Sequence, residues 1–110
     1  MVKQGDIIFI DCAPTTGNEQ SGKRPALVIS NSKYNIHNNS VIVCPITSTD
    51  KGLPNLRIKL DDNTKTQGFI LCEQVRYFDL DVRAYSIVES VSNDIFVKVY
   101  NAVNTLILPM

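Results

Sequence analysis

GDIIFIDCAPTTGNEQSGKRPALVIS, residues Gly5 to Ser30, decides how this chain of 110 residues starts to fold. Asp6-Ile7-Ile8-Phe9-Ile10-Asp11 is an apolar run of strand length bounded by acids. CAPTTGNEQSGK follows, rich in Gly, Pro, Thr and Asn, and reads as a long loop. Ala26-Leu27-Val28-Ile29 is the next strand. Arg24 is the last charge before it, and Pro25 biases Arg24 toward extended backbone. That places a guanidinium at the mouth of a strand, fixed by the framework and close to solvent.

The pattern continues outward from this pair. Asn31 to Ser40 is polar and turn-prone, and Val41-Ile42-Val43-Cys44-Pro45-Ile46 is a third strand in which Pro45 signals an edge or bulge. Thr47 to Asn55 is a second polar loop, and Arg57-Ile58-Lys59-Leu60 alternates as a half-exposed strand does. Asp61-Asp62-Asn63 reads as a turn, with Gly68 to Cys72 as the returning strand and Glu73 to Phe78 as its continuation. Asp79 to Ala84 fits one helical turn, and Tyr85 to Val88 a last short strand. Ser92-Asn93-Asp94 then supplies N-cap chemistry. Ile95, Val99, Ala102, Val103 and Leu106 follow at helical spacing, in a helix ending before Pro109. Five to seven strands and one terminal helix, without βαβ alternation, predict a mainly β fold: a small barrel-like sheet carrying a helix on one side. No internal repeat or low-complexity linker divides residues 1–110, so one domain is expected.

Composition narrows the function by exclusion. Apolar residues are 44% and charged residues 20%, ordinary for a soluble domain. No stretch approaches the roughly 20 apolar residues of a membrane helix, and the start MVKQGD is polar, so a cytoplasmic location is expected. Cys12, Cys44 and Cys72 lie far apart in or beside apolar runs, as buried reduced thiols do, without the spacing of a metal site. His37 is the single histidine, which excludes a nuclease working through two histidines of one chain. A GxxxxGK[ST] loop and a GxSxG elbow are both missing, and the scattered carboxylates offer no metal cage. Net charge is zero, yet residues 1–60 hold seven Lys/Arg against four Asp/Glu, so the basic excess travels with the Arg24 loop, Lys51, Arg57 and Lys59.

Three polar clusters stand at strand ends: Asn18-Glu19-Gln20 with Lys23-Arg24, then Thr47-Ser48-Thr49, then Glu73-Gln74-Val75-Arg76. In a compact barrel strand ends converge, so these clusters share one rim. An arginine fork, hydroxyls and a carboxylate suit a phosphodiester. Composition alone equally supports solvated loops in which Arg24 pairs with Glu19 or Glu73, a contact of little energetic weight.

The quoted stretch, followed by VIVCPITS (41–48) and GFILCEQVRYFD (68–79), resembles the successive motifs of the MazF/PemK family of toxin endoribonucleases. The resemblance spans residues 5 to about 80, with E-Q-x-G-x-R-P as its most specific piece. It implies a small SH3-like β-barrel of the MazF/Kid/CcdB type with a C-terminal helix, acting as a homodimer. It also implies sequence-specific cutting of single-stranded RNA without a metal or other cofactor, and neutralisation by a MazE-like antitoxin. Carried over residue by residue, it makes Arg24, Thr47 and Glu19 catalytic candidates. Base and backbone contacts then fall to Gln20, Lys23, Ser48, Thr49, Lys51, Glu73 and Gln74. Two departures matter: Asn18 stands where some members carry histidine, and Leu71 where some carry arginine. Chemistry that uses those two groups is closed to this chain.

The groups present fit attack of an RNA 2′-OH on the adjacent phosphorus, leaving a 2′,3′-cyclic phosphate (or, after opening, a 3′-phosphate) and a 5′-OH. In that scheme Arg24 stabilises the pentacoordinate phosphate and Thr47 holds the in-line geometry. A guanidinium does not readily accept a proton, so Glu19 is the better candidate base. Tyr77 and Phe78 are aromatic candidates for base stacking, although aromatics of alternating strands usually face a core. The competing reading is a non-enzymatic toxin of the same fold that binds a protein target such as gyrase. Relatives of that kind end in a tryptophan-bearing segment, whereas this chain has no Trp and ends ILPM. An inactive binding or repressor module is a third reading.

Overall fold

The computed structural model describes residues 1–12, 22–50 and 53–110. Its strands are β1 (Asp6–Asp11), β2 (Lys23–Val28), β3 (Ser40–Thr47), β4 (Arg57–Lys59), β5 (Phe69–Leu71), β6 (Arg76–Asp79) and β7 (Tyr85–Ser90). Two helices, α1 (Ser32–Asn38) and α2 (Asn93–Ile107), complete the order, with a 3-10 turn at Pro54–Leu56. The sheet runs β4-β5-β3-β2-β1-β7, and β6 pairs with β3. Every pairing is antiparallel. This is the expected small SH3-like β-barrel with a C-terminal helix; among the described residues β4 and β7 do not pair, so it stays open there.

Alternation along the strands divides the apolar side chains between two cores. Ile8, Ile10, Ala26, Val28, Val41, Val43, Phe78 and Leu80 form one, enclosed by the curl of the sheet. Ile7, Leu27, Cys44, Ile46, Leu60, Ile70 and Cys72 point to the opposite face and meet Ile95 and Val99 of α2. Phe96, Ala102 and Val103 widen the stripe that α2 lays on that second core. Ser92 caps α2 as expected, its Oγ accepting from the Ile95 N–H at 3.3 Å.

Two segments differ from the sequence reading. Residues 32–38 are helical because Asn31 caps the first turn, its side chain accepting from the Tyr34 N–H at 2.8 Å. Asn39 ends the helix in the left-handed region at φ 44°. Asn35, the buried residue of this helix, donates from Nδ2 to the Ser30 carbonyl, and that polar anchor replaces an apolar stripe. Glu73 to Phe78 does not simply prolong β5. The chain turns at Cys72–Glu73 and resumes as β6, which pairs a different part of β3. Asp79 closes β6, and Leu80 to Ala84 is a turn to β7, held by the Asp79 carboxylate accepting from the Asp81 N–H.

Two contacts fix the β4–β5 arm. Gly68 (φ +123°) enters β5 so close to β3 that a Cβ there would lie 2.3 Å from the Thr47 carbonyl oxygen. Glu89 of β7 accepts from the backbone N–H groups of Lys65 and Thr66 and from the Thr66 hydroxyl, at 3.0, 2.8 and 2.6 Å. These bonds, the hydroxyl's above all, hold its carboxyl below the ordinary value of 4.5.

Gly68→Ala is therefore expected to lower stability by at least about 2 kcal/mol in urea unfolding, combining backbone strain with a backbone clash. Gly5→Ala, also at positive φ but with nothing within 4 Å of the added carbon, should cost about 1 kcal/mol. For Glu89 the sign follows from a pKa lowered on folding. Its stabilisation is fully present above about pH 4.5 and is lost as pH falls through the folded value. Unfolding of Glu89→Gln across acid pH should show a shallower acid limb than the parent; parallel limbs would refute this.

Candidate functional site

The end of the first core is where the sequence motifs meet. Arg24 pairs with Ile10 on β1, and Ala26 with Pro45 on β3. The β2–β3 ladder ends at that pair; carried two residues further, its register would face Arg24 with Thr47, both of which lie within their strands. Residues opposed in an antiparallel ladder share a face, so the guanidinium and the hydroxyl leave the sheet on the same side. Arg24 is exposed and Thr47 half-buried. Thr47 Oγ1 accepts from the Thr49 N–H at 3.2 Å, which turns the Ser48–Thr49 backbone tightly round the threonine and leaves both side chains exposed. Lys23 is exposed beside Arg24.

Glu73 and Gln74 occupy the exposed turn between β5 and β6, closed by the Gln74 N–H donating to the Leu71 carbonyl at 3.1 Å. Glu19, Gln20 and Lys51 lie outside the described residues, as does Asn18.

Sequence reasoning missed the roles of two cations on this face. Arg76 pairs with Val43 and so projects on the side of the first core, where its guanidinium stacks on Phe78 at 4.7 Å. Arg83 stacks on the same ring at 5.4 Å and donates to the Asp11 carbonyl at 3.2 Å. Phe78 is thus buried as a cation platform. Tyr77 points to the other face, exposed, its hydroxyl 3.0 Å from Ser40 Oγ. Only the run EQVR gave a hint of Arg76; the link to Phe78 depends on the β3–β6 register, which no local pattern announces.

Cys12 reports on the same field. It packs against the first core at the strand mouth, and the charges of Arg76, Arg24 and Arg83 all favour its thiolate. Burial outweighs them and leaves the thiol raised above its ordinary value of 9.0. Among the described residues no cluster of three or more His, Cys, Asp or Glu is arranged to hold a metal ion. No helix among them is long and apolar enough to cross a membrane.

With this geometry in view, comparison with known proteins places the chain. The family described as PemK-like, MazF-like toxin of type II toxin–antitoxin system matches residues 3–107. Endoribonuclease PemK of Escherichia coli is 28% identical over 109 residues, covering 96% of this chain and 82% of that protein. Endoribonuclease EndoA of Bacillus subtilis is 39% identical over 85 residues, covering 72% of each. Among solved structures, MazF of Deinococcus radiodurans superposes with a TM-score of 0.82 at 28% identity, covering 96% of this chain and 94% of that one. The MazE–MazF structure from the same organism gives 0.84 at 27% identity, with the same coverage. The chain belongs to the PemK/MazF family of endoribonuclease toxins of type II toxin–antitoxin systems.

The thiols allow a direct check of the burial pattern at the site. Cys12 is half-buried, whereas Cys44 and Cys72 are wholly enclosed between the sheet and α2. In the folded protein one thiol should react slowly with an aromatic disulfide reagent, and all three in urea. Cys12→Ser should abolish the native phase; its survival would contradict the assigned burial.

Proposed function

We propose that this chain cuts single-stranded RNA at a short base motif by metal-independent transesterification, with Arg24 and Thr47 at the reacting phosphate. The observation that supports the reading is that Arg24 and Thr47 share the strand parity of Ala26 and Val43, and so one sheet face, near the adjacent ends of β2 and β3. The family supplies the chemistry class.

Each group then has a definite task. Thr47 Oγ1 already accepts one backbone N–H, so its hydroxyl proton is free to be donated to a non-bridging phosphate oxygen or to orient the 2′-OH. Arg24 places positive charge where the phosphorane develops it, the largest electrostatic contribution available at such a site. Arg76 and Arg83, held on Phe78, add a field that favours phosphates flanking the cut. The 2′-OH proton goes to Glu19, the carboxylate that the family motif sets in the loop before Arg24. The leaving 5′-oxygen takes a proton from a neighbouring donor or from water. Cleavage releases a 2′,3′-cyclic phosphate (or the 3′-phosphate after opening) and a 5′-OH. Gln20, Lys23, Ser48, Thr49, Lys51, Glu73 and Gln74 read the bases and track the backbone.

The same reading treats residues 1–110 as one toxin unit working in the cytoplasm as a homodimer. Tyr85, Ile87 and Val88 on β7 and Val97, Tyr100 and Leu106 on α2 leave more apolar surface exposed than a small barrel needs. A MazE-like antitoxin would neutralise it, as the MazE–MazF structure of the Deinococcus relative suggests. An acidic or amphipathic segment of that partner would lie against the Arg24, Arg76 and Arg83 face.

The decisive experiment is digestion of a long, sequence-diverse RNA in excess EDTA with mapping of the new 5′ ends. Wild type should produce discrete cuts at one recurring motif. Arg24→Ala should lose at least about a hundredfold in rate with the fold retained, and Thr47→Ser should keep more activity than Thr47→Ala. A folded wild type that makes no cuts would move the weight to a toxin acting on a protein target.

A further inference from the structure

The face that bears Arg24 and Thr47 continues across two more strands. Thr47 pairs with Phe69 on β5, and Phe69 pairs with Lys59 on β4. Lys59, Phe69, Thr47 and Arg24 therefore form one cross-strand row, with neighbours about 4.8 Å apart in the direction of the ladder. Phe69 is half-buried, and Lys59 is exposed. Gly68 packs the start of β5 closely against the Thr47 carbonyl, which holds the backbone from which the ring projects. Arg57 covers part of the ring, its guanidinium carbon 5.8 Å from the centroid. Arg57 is itself held: it is ion-paired with Asp50, its Nε donates to the Leu53 carbonyl at 3.4 Å, and its side chain is only 10% exposed. An aromatic side chain is thus fixed beside the candidate catalytic threonine, with a solvated cation on its far side.

We propose that Phe69 is the stacking platform for one nucleobase next to the scissile phosphate, and that Lys59 holds the phosphate beyond it. This rests on the RNA-cleaving reading above and adds the subsite that selects the substrate's neighbouring nucleotide. The sequence offers Tyr77 and Phe78 as stacking candidates while favouring a core-facing role; Tyr77 leaves the opposite face and Phe78 is buried beneath two arginines. Phe69 is the partly exposed ring in the Arg24–Thr47 row. Stacking on a ring tolerates several bases and favours purines through area, so this subsite biases one motif position instead of dictating it. Arg57 is a positioning residue. It tethers the ring to Asp50 in the loop after Thr47, so that loop and platform move together.

Two assays test this and separate its failure from that of the cleavage reading. In the first, Phe69→Leu, Phe69→Tyr and Lys59→Ala digest the same diverse RNA as wild type, after thermal unfolding has confirmed that each is folded. Phe69→Tyr, which keeps a stacking ring, should retain more kcat/KM than Phe69→Leu. Phe69→Leu should lose about five- to a hundredfold in kcat/KM, mainly through KM, and relax base preference at one position beside the cut. In the second, binding of a short 2′-O-methyl RNA pool, which has no attacking hydroxyl, is followed by fluorescence anisotropy against salt. Phe69→Leu should weaken binding by a similar factor. Lys59→Ala should flatten the log–log salt slope by about 0.7. Phe69-dependent binding without any cutting would sustain the subsite and refute the cleavage chemistry. Unchanged binding and unchanged cut sites in folded Phe69→Leu would overturn the subsite, as would failure of the wild type to bind the pool.

Discussion

Everything at the site depends on how β3 changes partners. Along one edge β3 pairs continuously with β2, from Val43 to Pro45. Along the other it pairs with β6 up to Val43 and with β5 only from Ile46 onward. The gap falls at Cys44 and Pro45. Ile42 directs its carbonyl and N–H toward the β2 side, where Ile29 N–H and Ser30 Oγ meet them. By alternation the missing N–H of Pro45 belongs to the opposite edge, where no ladder partner stands. A proline there costs nothing and forbids β5 and β6 from merging into one continuous strand. The turn at Cys72 to Val75 occupies the interruption, and it carries Glu73 and Gln74. One imino acid thereby separates the strand that brings Phe69 to Thr47 from the strand that brings Arg76 to Val43.

The two cores divide the remaining work. The core beneath α2 is closed: Cys44, Cys72, Ile70 and Val99 have no solvent exposure, and its job is to hold β3, β4 and β5 in register. The other core opens at one end, where its apolar layers give way to Cys12, Arg24, Thr47 and Arg76. That transition explains why a chain of zero net charge can still attract an anion. Positive charge is concentrated by pairing: Arg24 lies near the start of β2, and Arg76 opens β6 across from Val43 on the same face of the sheet. Burial on one side of each arginine lowers the local dielectric and lengthens the reach of its field.

Much of this was legible in the sequence because it is written locally. The acid-bounded run at Asp6 to Asp11, the Arg24–Pro25 strand entry, the Pro45 interruption and the Ser92 cap each combine a strong propensity with a boundary signal. The motif residues Arg24 and Thr47 were found before their register was known. Helix α1 escaped because its seven residues carry one buried side chain, the polar Asn35, so periodicity had nothing to detect. Arg76, Arg83 and Phe69 escaped for a different reason. Their significance is set by which residue stands across the ladder, and a shift of one residue would turn each to the opposite face. Pairing of that kind joins positions such as 43 and 76, or 47 and 69, and leaves no trace in either segment alone.

That dependence on register has a functional counterpart. Three guanidinium groups gathered on one face repel one another, and the fold tolerates them because the Phe78 ring sits beneath two and the Asp11 carbonyl accepts from one. Asp50 neutralises Arg57, whose guanidinium lies over the Phe69 ring. Among the described residues Arg24 and Arg76 form no ion pair, and like charge held together in this way costs folding energy. On the proposed RNA-cleaving reading a polyanion relieves that cost on binding, most where a reacting phosphate gathers extra negative charge.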